Sequence, residues 1–138
     1  MNDEEKKEKL MKYLIAVDRL RRKCDDAARW ESMSFCSSGE VRAHSRQQNH
    51  PDTIKDTAIQ SRQECEALAV EVRSLRQELG SALALMQNDR LRSFLESKYI
   101  DGMSNRQLQE RNSYSERHMR RLMTEAVREL DRCSSYFS

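Results

Sequence analysis

Between Ser115 and Arg128 the chain reads "SERHMRRLMTEAVR", a stretch with four arginines, a histidine, a serine and a threonine. If it is helical, each residue turns about 100° from the last. Met119, Leu122, Met123, Ala126 and Leu130 then share one face, while Arg117, Arg120, Arg121, Thr124 and Arg128 lie opposite. Such a helix packs on one side and offers guanidinium groups on the other. A guanidinium holds phosphate, or the O6 and N7 atoms of guanine, through paired hydrogen bonds. A solvated charged face on any amphipathic helix has the same look, so the neighbouring elements must decide between the two. Catalysis is not expected: His118 has no nucleophile or carboxylate partner at a recognisable spacing. No cofactor is implied either. Cysteines 24, 36, 65 and 133 form no CxxC pair and have no histidine at ligand spacing, so no metal site is expected.

The elements that must position the arginines are legible from their caps. Ser115 starts the arginine-rich helix. Ser104, with Gln107 three residues on, is a capping box that opens a short helix running to about Arg111, where "NSY" breaks it. Ahead of that, Asn88 can cap a helix carrying Leu91, Phe94, Leu95 and Tyr99 on one face, and "DGM" at 101–103 stops it at a glycine. Helix, tight turn, short capped helix, three-residue break and longer basic helix make up a helix-turn-helix layout. In that layout the last helix presents its N-terminal residues to the major groove and the short one braces it.

The segment "LRSFLESKYIDGMSNRQLQERNSYSERHMRRLMTEAVREL" resembles the helix-turn-helix in the fourth conserved region of bacterial sigma factors. It is more closely similar to phage and prophage regulators of the RinA/ArpU type, through "YIDGMS" and "YSERHMRRL". In that group a charged helical hairpin with a polar loop precedes the module. The resemblance implies a non-enzymatic, sequence-specific DNA-binding transcription regulator, often an activator of late genes, with double-stranded DNA as partner and host RNA polymerase as a further one. Carried over by position, Ser115, Arg117, His118, Arg120 and Arg121 approach DNA, joined by Thr124 and Arg128 of the same face, while Leu108, Met119 and Leu122 hold the two helices together. The match departs in the brace helix, with Gln109 where the group has Ala, Asn112 where it has Leu and Ser113 where it has Gly. A large polar side chain at a close contact and a non-glycine residue at a positive-φ position cost about 1 kcal/mol each.

The first 87 residues read as the hairpin, leaving 88–138 for the helix-turn-helix module. Leu10, Tyr13, Val17, Leu20, Cys24 and Ala27 recur in steps of three and four, predicting a helix over about 3–34. The seam resumes beyond Pro51 as Ile54, Ala58, Ser61, Cys65, Leu68, Val72, Leu75, Leu79, Ala82 and Met86. Between them a Ser-, Gln- and Asn-rich stretch of about 36–51, closed by the sole proline, reads as a flexible loop. The two seams fold back antiparallel in a register whose paired numbers sum to either 85 or 92; the sequence permits both. Cys24 and Cys65 then share a layer, as two small core thiols or as a redox pair, the plain thiols being expected in a reducing compartment. Gly80 marks a close helix contact, a bend or an ordinary surface position. A lone hairpin leaves part of its seam wet, so a homo-oligomer, a dimer in the simplest case, is expected.

Composition sets the outer limits. One proline, three glycines and 35% charged residues predict an all-α protein without the apolar content for a large enzyme core. The N-terminus lacks a signal-peptide core and no apolar run reaches the roughly 20 residues of a membrane span, so a cytoplasmic location in a bacterial host is expected. The net charge of +2 is unevenly spread: residues 1–87 hold 15 basic and 15 acidic side chains, residues 88–138 hold 10 and 8. Three function classes accommodate these features: a DNA-binding regulator, a DNA-recognition subunit of phage packaging of the small-terminase type, and a coiled-coil interaction protein with a vestigial helix-turn-helix.

Overall fold

The structure is a computed structural model that describes residues 1–37 and 51–138. It is all-α, with helices α1 (Asp3–Ser37), α2 (Pro51–Ala84), α3 (Asp89–Tyr99), α4 (Asn105–Asn112) and α5 (Glu116–Cys133), and no strand among the described residues. The expected loop at about 36–51 lies, over 38–50, outside the described residues. No helix among the described residues is long and apolar enough to cross a membrane.

Each boundary has a local cause. Asp3, Glu4 and Glu5 place negative charge on the positive end of the α1 dipole, and Asn2 Oδ1 accepts from the Glu5 amide at 2.8 Å. Proline opens α2, where its missing amide is no loss. Asn88 caps α3, its side chain accepting from the amides of Arg90 at 3.1 Å and Leu91 at 3.2 Å. The chain turns after α3 through Gly102, at φ +75°, a conformation that glycine adopts without a Cβ penalty.

The described residues divide into two compact units, Met1–Ile15 with Arg73–Ser138, and Ala16–Val72. The outer ends of the two long helices therefore share a core with α3, α4 and α5. That core is closed around Leu10, Leu79, Leu83, Leu95, Tyr99, Leu108 and Leu130, each at most 2% exposed. Burial pushes the Tyr99 hydroxyl up to about 12, and it lies 3.7 Å from Met123 Sδ. The C-terminal residues are tied back to α1: Phe137 is buried, Tyr136 Oη donates to the Lys9 carbonyl at 3.1 Å, and Lys9 Nζ donates to the Tyr136 carbonyl. Lys6 adds an ion pair with Asp131 at 3.1 Å. Sequence periodicity did not anticipate this hook.

The second unit is an antiparallel pair of helical segments held by different means. Cys24 and Cys65 are joined in a disulfide, their Cα atoms 5.7 Å apart, within the range a disulfide needs. This corrects the expectation of two plain core thiols, and it corrects both registers: the cross-linked numbers sum to 89, between 85 and 92. The sequence left the register open because small residues line both seams and several offsets bury them equally well. Around the cross-link, Arg62 grips Glu31 with two hydrogen bonds of 3.0 and 2.5 Å, and Lys23 pairs with Glu64. The guanidinium holds the Glu31 carboxyl below its ordinary range. Ala16, Ala27, Ile54, Ala58, Ser61 and Cys65 are buried, whereas Val17, Leu20, Leu68 and Val72 of the predicted seams are only half-buried. Gly80, back in the first unit, has open space where a Cβ would stand, so it marks no close helix contact.

Candidate nucleic-acid interface

The three C-terminal helices form the predicted layout from local signals. Ser104 Oγ accepts from the Gln107 amide at 3.1 Å while Gln107 Oε1 accepts from the Ser104 amide at 2.9 Å, completing the capping box that starts α4. The helix ends at Ser113, whose φ of 56° and ψ of 38° put it in the left-handed region. The chain therefore does take the turn that glycine favours, with serine in it. Asn112 is accommodated by turning inward along its own helix, its Nδ2 donating to the Leu108 carbonyl at 3.0 Å. Gln109 is half-buried and contributes its carbonyl to the turn, accepting from the Tyr114 amide at 3.1 Å. Ser115 then caps α5, accepting from the His118 amide at 3.1 Å.

On α5, seven residues are buried: Met119, Leu122, Met123, Ala126, Val127, Glu129 and Leu130. Leu108, Met119 and Leu122, expected to lock the helices together, are 1%, 6% and 3% exposed. The predicted contact residues divide into two sets. Arg117, Arg121 and Arg128 are exposed along one stripe, and none forms an ion pair with a described residue. Arg120, also exposed, is engaged one turn back by Glu116 at 3.1 Å. Thr124 donates its hydroxyl to the Arg120 carbonyl at 3.0 Å, and the Ser115 hydroxyl is occupied as a cap. These two hydroxyls serve the helix itself in this structure.

His118 stands at the edge of the stripe in a small cluster. Its ring meets Tyr114 edge-on with centroids 4.7 Å apart, and Arg90 Nη2 lies 2.8 Å from its Nε2. A guanidinium only donates, so Arg90 is the donor in this contact. Arg90, from the first turn of α3, also lies over the Tyr114 ring at 5.8 Å. Sequence reasoning missed Arg90, because no spacing along the chain signals that the starts of α3 and α5 meet. On the opposite flank, Lys7 and Lys98 line a cleft with Asn105, Gln109 and Arg120. Desolvation, and then the charge of Lys7, push the half-buried Lys98 ammonium below its ordinary range.

The family model described as "Protein of unknown function (DUF1492)" matches residues 33–131. The chain belongs to the DUF1492 family. The matched span takes in α3, α4 and the whole arginine stripe through Arg128, so the site geometry lies inside the DUF1492 segment, while Lys7 lies outside it. No curated protein and no solved structure matches the chain.

Proposed function

We propose that this protein is a sequence-specific transcription regulator of phage or prophage genes, an activator of late genes in the RinA/ArpU manner, binding double-stranded DNA through α4 and α5. One observation carries the reading: Arg117, Arg121 and Arg128 stand exposed on one stripe of a capped helix whose other face is buried, and no described carboxylate neutralises them. Guanidinium groups left without a protein counter-ion on a rigid element suit a polyanion. In this reading α5 lies in the major groove, Arg117 and Arg121 in its first turns reach base edges, and Arg128 further along meets phosphate. The helix α4 braces α5 through Leu108 against Met119 and Leu122. The protein performs no chemistry on the DNA; it recruits, with host RNA polymerase as the natural second partner. Selection of bound fragments from the parent genome tests this, with enrichment expected beside a promoter. Enrichment at a packaging site, or none, would reject it.

A second reading has an observation of its own. Ile59 and Val70, on α2 of the second unit, are each 58% exposed. Together with the half-buried seam they suit a second copy of the chain, in keeping with the dimers common among DNA-binding regulators. Sedimentation of the full chain at micromolar concentration is expected to give a dimer or larger, and Ile59→Ser with Val70→Ser to shift it toward monomer. A monomer in both proteins would remove the oligomer from the account.

A further inference from the structure

Beside the turn between α4 and α5 lies a cleft of about 240 Å³ whose walls, above an apolar floor, are Arg90, Arg111, Ser93, Ser97, Asn112 and Tyr114. No acidic side chain among the described residues lines it. The carboxylate next to Arg90 in the chain, Asp89, is taken up by Arg92 at 2.7 Å. Arg90 itself has an imidazole and an aromatic ring as neighbours, and among the described residues Arg111 hydrogen-bonds to the Met103 thioether, Nη1 to Sδ 3.5 Å. Two guanidinium groups, one of them steadied by His118, thus share a polar cleft with two serine hydroxyls and no counter-charge. A thioether and a ring face are weak substitutes for an anion, and most of the donors of both forks remain unused.

The position of the cleft says which anion. His118 lies about 100° round α5 from Arg117, at the edge of the exposed stripe. A helix seated in a major groove about 12 Å wide has a sugar-phosphate wall on each flank. Arg90, bound to His118, stands on the flank where one wall must run. Phosphate contacts of this kind fix register and orientation without reading sequence.

We propose that Arg90 and Arg111 together hold a backbone phosphate of the duplex, just outside the base-reading stripe of α5. This inference rests on the DNA-binding reading and extends it to two residues from α3 and α4. Non-specific affinity is enough to test it, since that affinity is almost wholly electrostatic. The full chain, Arg90→Ala, Arg111→Ala and, as a control, Arg106→Ala are titrated with a random-sequence duplex of 20 base pairs at 50 and 200 mM salt. Arg106 is 88% exposed on α4 and already paired with Glu110, so its loss is expected to leave the salt slope unchanged. Arg90→Ala and Arg111→Ala are each expected to flatten that slope by about one unit, so that the fourfold rise in salt weakens them about fourfold less than the wild type. Circular dichroism checks that both exposed substitutions leave the helices intact.

If both variants keep the wild-type slope while Arg128→Ala flattens it, the DNA reading stands and this proposal falls. If the wild type does not bind the duplex, both fall. A parallel melting series with inorganic phosphate separates the sources: stabilisation at millimolar phosphate that Arg90→Ala abolishes, with unchanged duplex slopes, would make the cleft a free-anion site and overturn the duplex contact.

Discussion

The unit formed by residues 1–15 and 73–138 and the unit formed by residues 16–72 are both helical and highly charged, yet they bury apolar surface by different means. The first closes a core of large side chains, with Leu10, Leu79, Leu95 and Leu130 at 0% exposure. The second packs mostly small residues, Ala27, Ala58, Ser61 and Cys65, with Ile54, at the contact of two helical segments, and has no third layer among the described residues. Small side chains let helices approach closely but remove little apolar area from water, at about 25 cal/mol per Å². Cross-linking and ion pairs take up part of the difference. The Arg62–Glu31 and Lys23–Glu64 pairs are substantially exposed, and solvent-screened pairs of that kind contribute little. The disulfide is therefore the larger of the two contributions, and part of the seam stays half-buried.

The comparison is broken most sharply by removing the cross-link. Closing a 41-residue span restricts the unfolded chain by about 4 kcal/mol on the chain-entropy account. Cys65→Ser, or reduction of the wild type, is expected to accelerate amide exchange through 16–37 and 53–72 while leaving α3 to α5 protected. A thiol titration that finds Cys24 and Cys65 free in the untreated protein would remove the cross-link from the account. The reverse experiment is Leu95→Ala, which opens a cavity in the closed core and is expected to cost about 3 kcal/mol there, read as lost protection in α3 to α5. Equal loss in both units would mean that they unfold as one.

A smaller effect sharpens the comparison at the turn. Ser113 occupies the left-handed region in which glycine is unstrained, so Ser113→Gly is expected to raise the melting temperature of the first unit, by up to about 1 kcal/mol in stability. A fall would show that the serine side chain contributes something the backbone angle does not reveal.

What the sequence disclosed divides by distance along the chain rather than by unit. Short-range signals were readable: the Ser104–Gln107 box, the Ser115 cap, the Asn88 cap, the stop at Gly102 and the 3.6-residue period that separates Met119, Leu122 and Leu130 from the arginines. Each depends on residues within one or two turns of each other. Pairings between distant segments were not readable. The hairpin register, the Cys24–Cys65 bond, the Tyr136–Lys9 hook and the Arg90–His118 contact all join residues at least 28 positions apart, where local periodicity has no say. Arg120 and Thr124 belong on the exposed face as expected, but their side chains are engaged by Glu116 and by the Arg120 carbonyl, which leaves Arg117, Arg121 and Arg128 as the unneutralised stripe.

The central claim is that this stripe meets DNA, and one measurement bears on it most directly: fragment binding at two salt concentrations by the wild type, Arg117→Ala, Arg121→Ala and Arg128→Ala. All four are expected to fold alike, since the three side chains are exposed and unpaired. Loss of Arg117 or Arg121 is expected to cost about 1–3 kcal/mol on the preferred fragment and to relax the preference at one base position. Loss of Arg128 should weaken every sequence alike and lower the salt slope by about one unit. Equal binding by all four proteins, or binding by none, would place the stripe against solvent or another protein and contradict the account.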